Sequence, residues 1–289
     1  MLWLILSLAT ALAVATQDAW VKKFFSHRSH YDMVGYPAFY SLPLFLLAVL
    51  LTPRPPLDAA YLVSLIASIP LNGISFIIYM RAIQISPLSL TLPYLAFTPV
   101  FMIVTGALVL DELPSLWGVG GIFTTCIGSY VLNLEPERRR LLDPFRAVFR
   151  ETGSWLMLLV AFLFSLAAVV GKKGILHSSP LFFTVTFFTL LNVTFLMLLS
   201  AAGRIRLRTY LEEPLKGGVA GILLFLHAFF HGYAIALTKA AYMISIKRFS
   251  ILFGVLYGGW LFREKNIGIR LFGAALMLSG AVIIVLKGT

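Results

Sequence analysis

Long apolar runs alternate with short polar connections along the whole chain. The pattern predicts ten apolar segments, at residues 2–24, 33–52, 61–84, 88–110, 115–134, 154–172, 179–201, 217–238, 241–262 and 266–286. Each segment is long enough to cross a hydrocarbon core about 30 Å thick as a helix. Helix is the expected state, because lipid offers no hydrogen-bond partner to an open strand edge. We therefore predict an all-α membrane protein with ten transmembrane helices.

The composition agrees with a protein that lies in a bilayer. Hydrophobic residues make up 60% of the chain and charged residues 12%, against roughly 45–50% and 25% in soluble domains. The net charge of +11 does not indicate a nucleic-acid partner, because the basic residues lie in the short loops between apolar segments. The first segment resembles a signal peptide that would end near Ala15. No basic residue precedes it, so we expect it to remain as a membrane helix.

The two halves of the chain resemble each other. At a spacing of 152 residues, Gly106, Glu112, Gly121 and Gly128 match Gly258, Glu264, Gly273 and Gly280; at a spacing of 150, Lys22, Lys23, His27 and Ser29 match Lys172, Lys173, His177 and Ser179. We predict a five-helix repeat at residues 1–134, a basic linker loop at 135–153 and a second repeat at 154–289. An odd number of crossings inserts the second repeat upside down, which is typical of secondary transporters with a central cavity.

Residues 82–134 and 234–286 share one arrangement: an apolar helix, a glutamate at its end, a short polar turn and a glycine-rich helix. They resemble the EamA branch of the drug/metabolite transporter superfamily. The resemblance implies ten helices around a central cavity lined by helices 1, 3, 4, 6, 8 and 9, and alternating access. The first helix departs from the family, because Asp18 stands where the family often has asparagine.

The ninth segment contains two adjacent cations, Lys247 and Arg248, about two turns from its start. A charge at the bilayer centre costs about 2.5–3.5 kcal/mol, so such residues usually face a cavity; the alternative is snorkelling to the headgroups. Because neighbours on a helix point about 100° apart, at most one is expected to point to the cavity centre. A Lys-Arg pair here also resembles the triose-phosphate translocators, where the pair holds the phosphate of the substrate. That resemblance implies an anionic substrate, a carboxylate or a phosphate.

Two polar residues, Gln17 and Asp18, lie well inside the first segment. We predict that they contact substrate or that Asp18 binds a proton. The alternative is a surface ion pair between Asp18 and Lys22, one turn away.

Four further side chains are candidates for the cavity wall. His227 and His231 lie one turn apart on the eighth segment, and Tyr79 matches His231 at the spacing of 152. A metal is not expected, because no third ligand accompanies the histidines; packed, hydrogen-bonded histidines are the alternative. Tyr94 follows Pro93, a proline that would free backbone carbonyls.

Two acidic residues, Glu112 and Glu264, end the fourth and ninth segments. We interpret both as structural, because an acid placed just before a helix stabilises that helix's N-terminus.

These patterns predict a secondary transporter, an exporter or exchanger of a small metabolite or drug-like solute, in the bacterial inner membrane. Its partners would be the solute, the lipid bilayer, and a coupling ion or counter-substrate. A transporter of amino acids or of cationic or zwitterionic compounds is the alternative. An intramembrane enzyme or a non-transporting sensor is disfavoured, since motifs such as H-E-x-x-H are absent. No cofactor is expected.

The orientation in the membrane stays open. Most basic residues fall on the side that would hold the loops after helices 1, 3, 5, 7 and 9. The positive-inside rule then places both termini outside, whereas the family resemblance places them inside.

Overall fold

The computed structural model describes residues 1–85, 92–132, 152–262 and 267–288, and in these ranges the chain is helical without β-strands. The helices are α1 (Leu2–Phe25), α2 (His30–Leu51), α3 (Ala59–Ile85), α4 (Thr98–Leu110), α5 (Leu116–Leu132), α6 (Thr152–Leu176), α7 (Pro180–Ala201), α8 (Pro214–Ala236), α9 (Ala240–Lys247), α10 (Phe249–Phe262) and α11 (Ile267–Lys287). A 3₁₀ segment, Leu92–Phe97, precedes α4, and a single turn, Leu207–Tyr210, precedes α8.

The helical class predicted from hydropathy is confirmed. Within the described ranges six helices, α1 to α3 and α6 to α8, are long and apolar enough to cross a membrane. Three shorter apolar stretches, Tyr94–Leu110, Leu116–Val131 and Phe272–Lys287, accompany them. Residues 135–151 of the predicted linker, and Pro87 and Glu264, lie outside the described residues.

Two predicted segments are not continuous α-helices. The described part of the fourth starts as the 3₁₀ segment and becomes α-helical at Thr98, with Pro99 in the first turn of α4, where its missing N–H leaves no bond unmade. The ninth is interrupted at Arg248, which lies between α9 and α10. There the chain tightens locally, because the Ile251 N–H donates to the carbonyl of Arg248, 3.0 Å away.

The second helix of each half begins with the same cap. Ser29 accepts a hydrogen bond from the Asp32 N–H at 3.1 Å, and Ser179 accepts one from the Phe182 N–H at 3.1 Å. Each serine thereby satisfies one of the backbone donors that a helix start leaves free. Ser29 and Ser179 are one of the residue pairs that match between the two halves at the spacing of 150.

Helices α5 and α11 touch backbone to backbone. A Cβ added at Gly121 would lie 2.8 Å from the carbonyl oxygen of Gly280, and one added at Gly128 would lie 2.7 Å from that of Gly273. The earlier glycine of α5 contacts the later glycine of α11, and the later one contacts the earlier, so the two helices run antiparallel. Small residues permit this close approach, as is common between membrane helices.

The other helices pack in the same way in the two halves of the chain: a contact made by a helix of one half has a counterpart made by the equivalent helix of the other. Helix α1 packs on α8, and its counterpart α6 packs on α3. In the same way α1 packs on α9 and α10, while α6 packs on the 3₁₀ segment and α4. Helices α2 and α7 pack on each other. Equivalent helices therefore have equivalent neighbours in most of the interior.

The glycine contact gives a direct test of this packing. We expect Gly128→Ala to destabilise the protein, because the new methyl group would meet backbone atoms of α11, including the Met277 nitrogen at 2.6 Å. Overpacking of this kind costs about 1–3 kcal/mol. Thermal unfolding in detergent measures the effect. Gly120→Ala is the matched control, since nothing lies within 4 Å of its added Cβ; equal stability of the two variants would contradict the contact.

Candidate functional site

Lys247, at the end of α9, points at two histidines of α8. Its Nζ lies 3.2 Å from His227 Nε2 and 3.4 Å from His231 Nδ1. All three side chains are only partly exposed. The predicted histidine pair thus contacts a cation, and a cation beside them disfavours a metal ion. Lys247 faces a neighbouring helix and does not snorkel towards the headgroups.

Arg248 lies at the interruption between α9 and α10, and only 9% of it is exposed. Its Nη2 donates a hydrogen bond to Thr98 Oγ1 at 2.6 Å. Thr98 begins α4, so the interruptions of the fourth and ninth segments meet at this bond. Within the described residues the buried Nε of Arg248 has no hydrogen-bond partner.

Lys247 and Arg248 both face the interior of the bundle. Their expected 100° separation assumed a continuous helix. Arg248 keeps near-helical backbone angles, φ −65° and ψ −10°, so the two side chains still point in different directions: Lys247 towards α8 and Arg248 towards Thr98 of α4.

Asp18 of α1 faces the same group of charges. Its charge acts on Lys247 of α9 and on Tyr79 of α3, and Tyr79 in turn lies within the electrostatic range of Arg248. Asp18 lies in the second half of α1 and is exposed. Lys247 is therefore the charged group that faces Asp18. Beside it, the buried Gln17 Oε1 has no hydrogen-bond partner among the described residues.

Tyr94 lies apart from this charged group. It is 2% exposed and packs in an apolar cluster with Ala82, Met157 and Val160. Tyr79 borders the same cluster and connects it to the charges. Contact of Tyr94 with a solute stays a prediction.

Two residues near Arg248, Thr98 and Cys126, were not predicted from the sequence. Thr98 accepts the bond from Arg248, and Cys126 of α5 lies within its electrostatic range. The Thr98-Pro99 pair is a helix-start signal that could have located the interruption. Cys126 is the only cysteine of the chain, but nothing in the sequence places it near Arg248.

A largely buried ion pair joins helices at one end of the bundle. Lys172, near the end of α6, is 3% exposed and bonds Glu112 and the carbonyl of Thr238. The second oxygen of Glu112 accepts the Ala240 N–H at 2.9 Å, at the start of α9. Glu112 was predicted to be structural by stabilising the start of the following helix, α5; it is structural, but its hydrogen bonds go to Lys172 of α6 and to the start of α9. Asp111, at φ 55°, adopts the left-handed conformation and turns the chain so that Glu112 reaches α9 instead.

Weaker contacts accompany this pair at the same end. Lys239 Nζ donates to the Leu113 carbonyl at 2.8 Å, and Asp58 Oδ2 lies 2.6 Å from His177 Nδ1. The Tyr61 N–H and the His177 ring hold the pKa of the exposed Asp58 below its usual value. These bonds connect the loops after α2, α4, α6 and α8.

The first part of the chain matches a known family of transporters. Residues 1–134 match the model of the EamA-like transporter family. The first half of the chain is EamA-like. The match is consistent with the drug/metabolite transporter superfamily, whose EamA branch supplies small-solute transporters. This match of residues 1–134, together with apolar helices of this length, supports a multi-pass membrane protein.

Solved structures extend the likeness beyond the EamA-like half. No curated protein matches the chain, whereas 28 chains of solved structures do. One crystal structure of a protein aligns over 97% of this chain and 98% of its own, with a TM-score of 0.68 and 12% identity. At this identity the likeness shows the fold alone.

Proposed function

We propose that this EamA-like protein is a secondary transporter that carries a small anionic solute, a carboxylate or a phosphate, as an exporter or exchanger. The observation that carries the proposal is Arg248. It is buried beside a second cation, Lys247, and its Nε is without a partner among the described residues. A buried donor left unpaired is costly. A bound oxyanion would satisfy it, because a guanidinium offers two parallel N–H donors to such a group.

The two helix interruptions support a site at this position. In secondary transporters with inverted repeats, interrupted helices at corresponding positions form the substrate site. Here α4 begins at Thr98 and α10 begins just after Arg248, and the two points are joined by the bond between these residues. A helix start carries a partial positive charge, which adds to the attraction for an anion.

Alternating access is supported by the relation between the halves. The antiparallel contact of α5 with α11 and the exchangeable packing of α1 with α8 and of α6 with α3 favour two inverted five-helix repeats. Inverted repeats can exchange conformations and so open the opposite side. The Lys172–Glu112 pair would then be the closure of one side.

A second candidate is a transporter of zwitterionic or cationic solutes, such as amino acids. Two observations favour it: Asp18 is exposed and its charge acts on Lys247, and Gln17 Oε1 accepts no hydrogen bond among the described residues. An ammonium group could satisfy both. In a zwitterion the anionic group would still bind at Arg248.

Counterflow into proteoliposomes tests the function. Vesicles loaded with unlabelled carboxylates or phosphate esters should accumulate the same labelled solute, and protein-free vesicles should not. Gly120→Ala serves as the control variant, because it lies away from the site and adds no close contact. Accumulation of amines alone would contradict the anionic class, and no exchange of any solute would contradict transport.

A further inference from the structure

We propose that His227, His231 and Lys247 form a proton-binding site whose proton is taken up when the anionic solute binds. This inference rests on the anion site proposed above. It adds a coupling ion to that site and assigns the histidine pair a role that solute contact alone does not require.

The contacts fix where the protons of the group lie. Lys247 Nζ is within hydrogen-bond range of one nitrogen on each ring, His227 Nε2 and His231 Nδ1. An ammonium can only donate, so both of these nitrogens must be unprotonated acceptors while Lys247 is charged. The ring protons then lie on the opposite nitrogens. One of these, His227 Nδ1, is buried and has no hydrogen-bond partner in the described part of the chain.

When no anion is bound, Lys247 is charged and both histidines are neutral, and the group does not readily accept an additional proton. A proton on His227 Nε2 would face the Lys247 ammonium at 3.2 Å, and like charges at this range in a poorly solvated interior repel strongly. A bound anion changes both the position of the ammonium and the repulsion between the positive charges. It draws the ammonium towards itself, which frees a ring nitrogen, and its negative charge offsets the added positive charge. One imidazole can then accept a proton from water.

The surrounding charges are compatible with this exchange. Asp18 from α1 and Arg248 next to α9 act on the group, and Tyr79 from α3 acts on those two residues. Helices α2, α6 and α7, which also pack on α8, bring no other ionisable group to bear on it among the described residues. With Asp18 ionised, two cations and one carboxylate face the cavity. A bound dianion leaves an excess negative charge, which one proton neutralises.

Proton uptake on anion binding tests the proposal in the purified full-length protein. The probes are sulfate and acetate, which do not titrate near neutral pH, so any proton taken up is the protein's. Calorimetry in buffers of different ionisation enthalpy gives the protons bound per anion. We expect about one proton per sulfate in the wild type. His227→Gln/His231→Gln should take up none while binding sulfate less than about tenfold more weakly, since glutamine keeps a hydrogen-bond acceptor.

The controls separate this proposal from the anion site. His177→Gln removes a histidine at the closed end of the bundle and should keep the wild-type proton count. If the double variant does not fold, His227→Gln and His231→Gln are measured singly, and at least one should lose the uptake. Anion binding with an unchanged proton count in these variants, or with no uptake in the wild type, overturns the proton site alone. Failure of both anions to bind the wild type overturns the anion site and this inference with it.

Discussion

Arg248→Gln should reduce binding of anionic solutes by at least about thirtyfold, because truncating a buried charged partner costs 2 kcal/mol or more. Glutamine is two bonds shorter than arginine and does not reach as far as Nη2, so the bond to Thr98 that joins the two interruptions is lost as well. The yield of folded protein should be close to that of the wild type, since the change removes a buried charge that is costly to insert. Binding is measured by thermal shift or calorimetry in detergent with a panel of carboxylates and phosphate esters.

Two further variants sharpen this result. Arg248→Lys keeps the charge and loses the planar fork, so its affinity should lie between those of the wild type and Arg248→Gln. Lys247→Met should weaken anion binding as well, because it removes the neighbouring cation. If Asp18→Asn is instead the most damaging change, the solute is a cation or a zwitterion. Equal and negligible effects of all four variants would mean that the solute binds elsewhere.

Glu112→Gln should open the end of the bundle that the Lys172–Glu112 pair closes. Losing one partner of a buried ion pair costs about 3–5 kcal/mol, enough to shift a two-state equilibrium about a hundredfold or more. Cys126 is the only cysteine in the chain and lies within the electrostatic range of Arg248. Its labelling by a membrane-impermeant maleimide added on the side of Lys172 should therefore become much faster in the variant.

Asp58→Asn is the matched control for this experiment. It removes the Asp58–His177 pair at the same end, but both of these side chains are exposed, and exposed pairs contribute only about 0–1 kcal/mol. Its labelling rate should stay close to that of the wild type. Equal rates for Glu112→Gln and Asp58→Asn would show that the buried pair does not hold this end closed.

Hydropathy and the internal repeat predicted much of the fold. Apolar length located the helices, because a bilayer makes helix the only favourable state of such runs. The repeat identified residues with equivalent roles, since Ser29 and Ser179 cap equivalent helices and the matched glycines of α5 and α11 meet. These features depend on local sequence or on helix surfaces, which a pattern can reveal.

The remaining features depend on tertiary contacts. The stretch around Arg248 contains no proline or glycine, so nothing local predicts the interruption where Arg248 meets Thr98. The partner of Glu112 depends on the left-handed turn at Asp111, a conformation that aspartate adopts only in some contexts. Tyr94 was predicted to line the cavity because it follows a proline; the apolar packing of its side chain was not predicted, and its contact with a solute stays a prediction. The substrate-binding roles of Lys247, Arg248 and Asp18 stay predictions.

The glycine contact between α5 and α11 also limits which parts of the protein can move. Ile284 already lies against Gly121 and Thr125 against Gly280, so sliding either helix along the other would place residues with larger side chains where only glycine fits. Interiors packed this tightly do not deform continuously. Helices α5 and α11 should consequently move as one rigid unit with a fixed register. Any conformational change of the bundle then has to involve movement of the other helices relative to this pair.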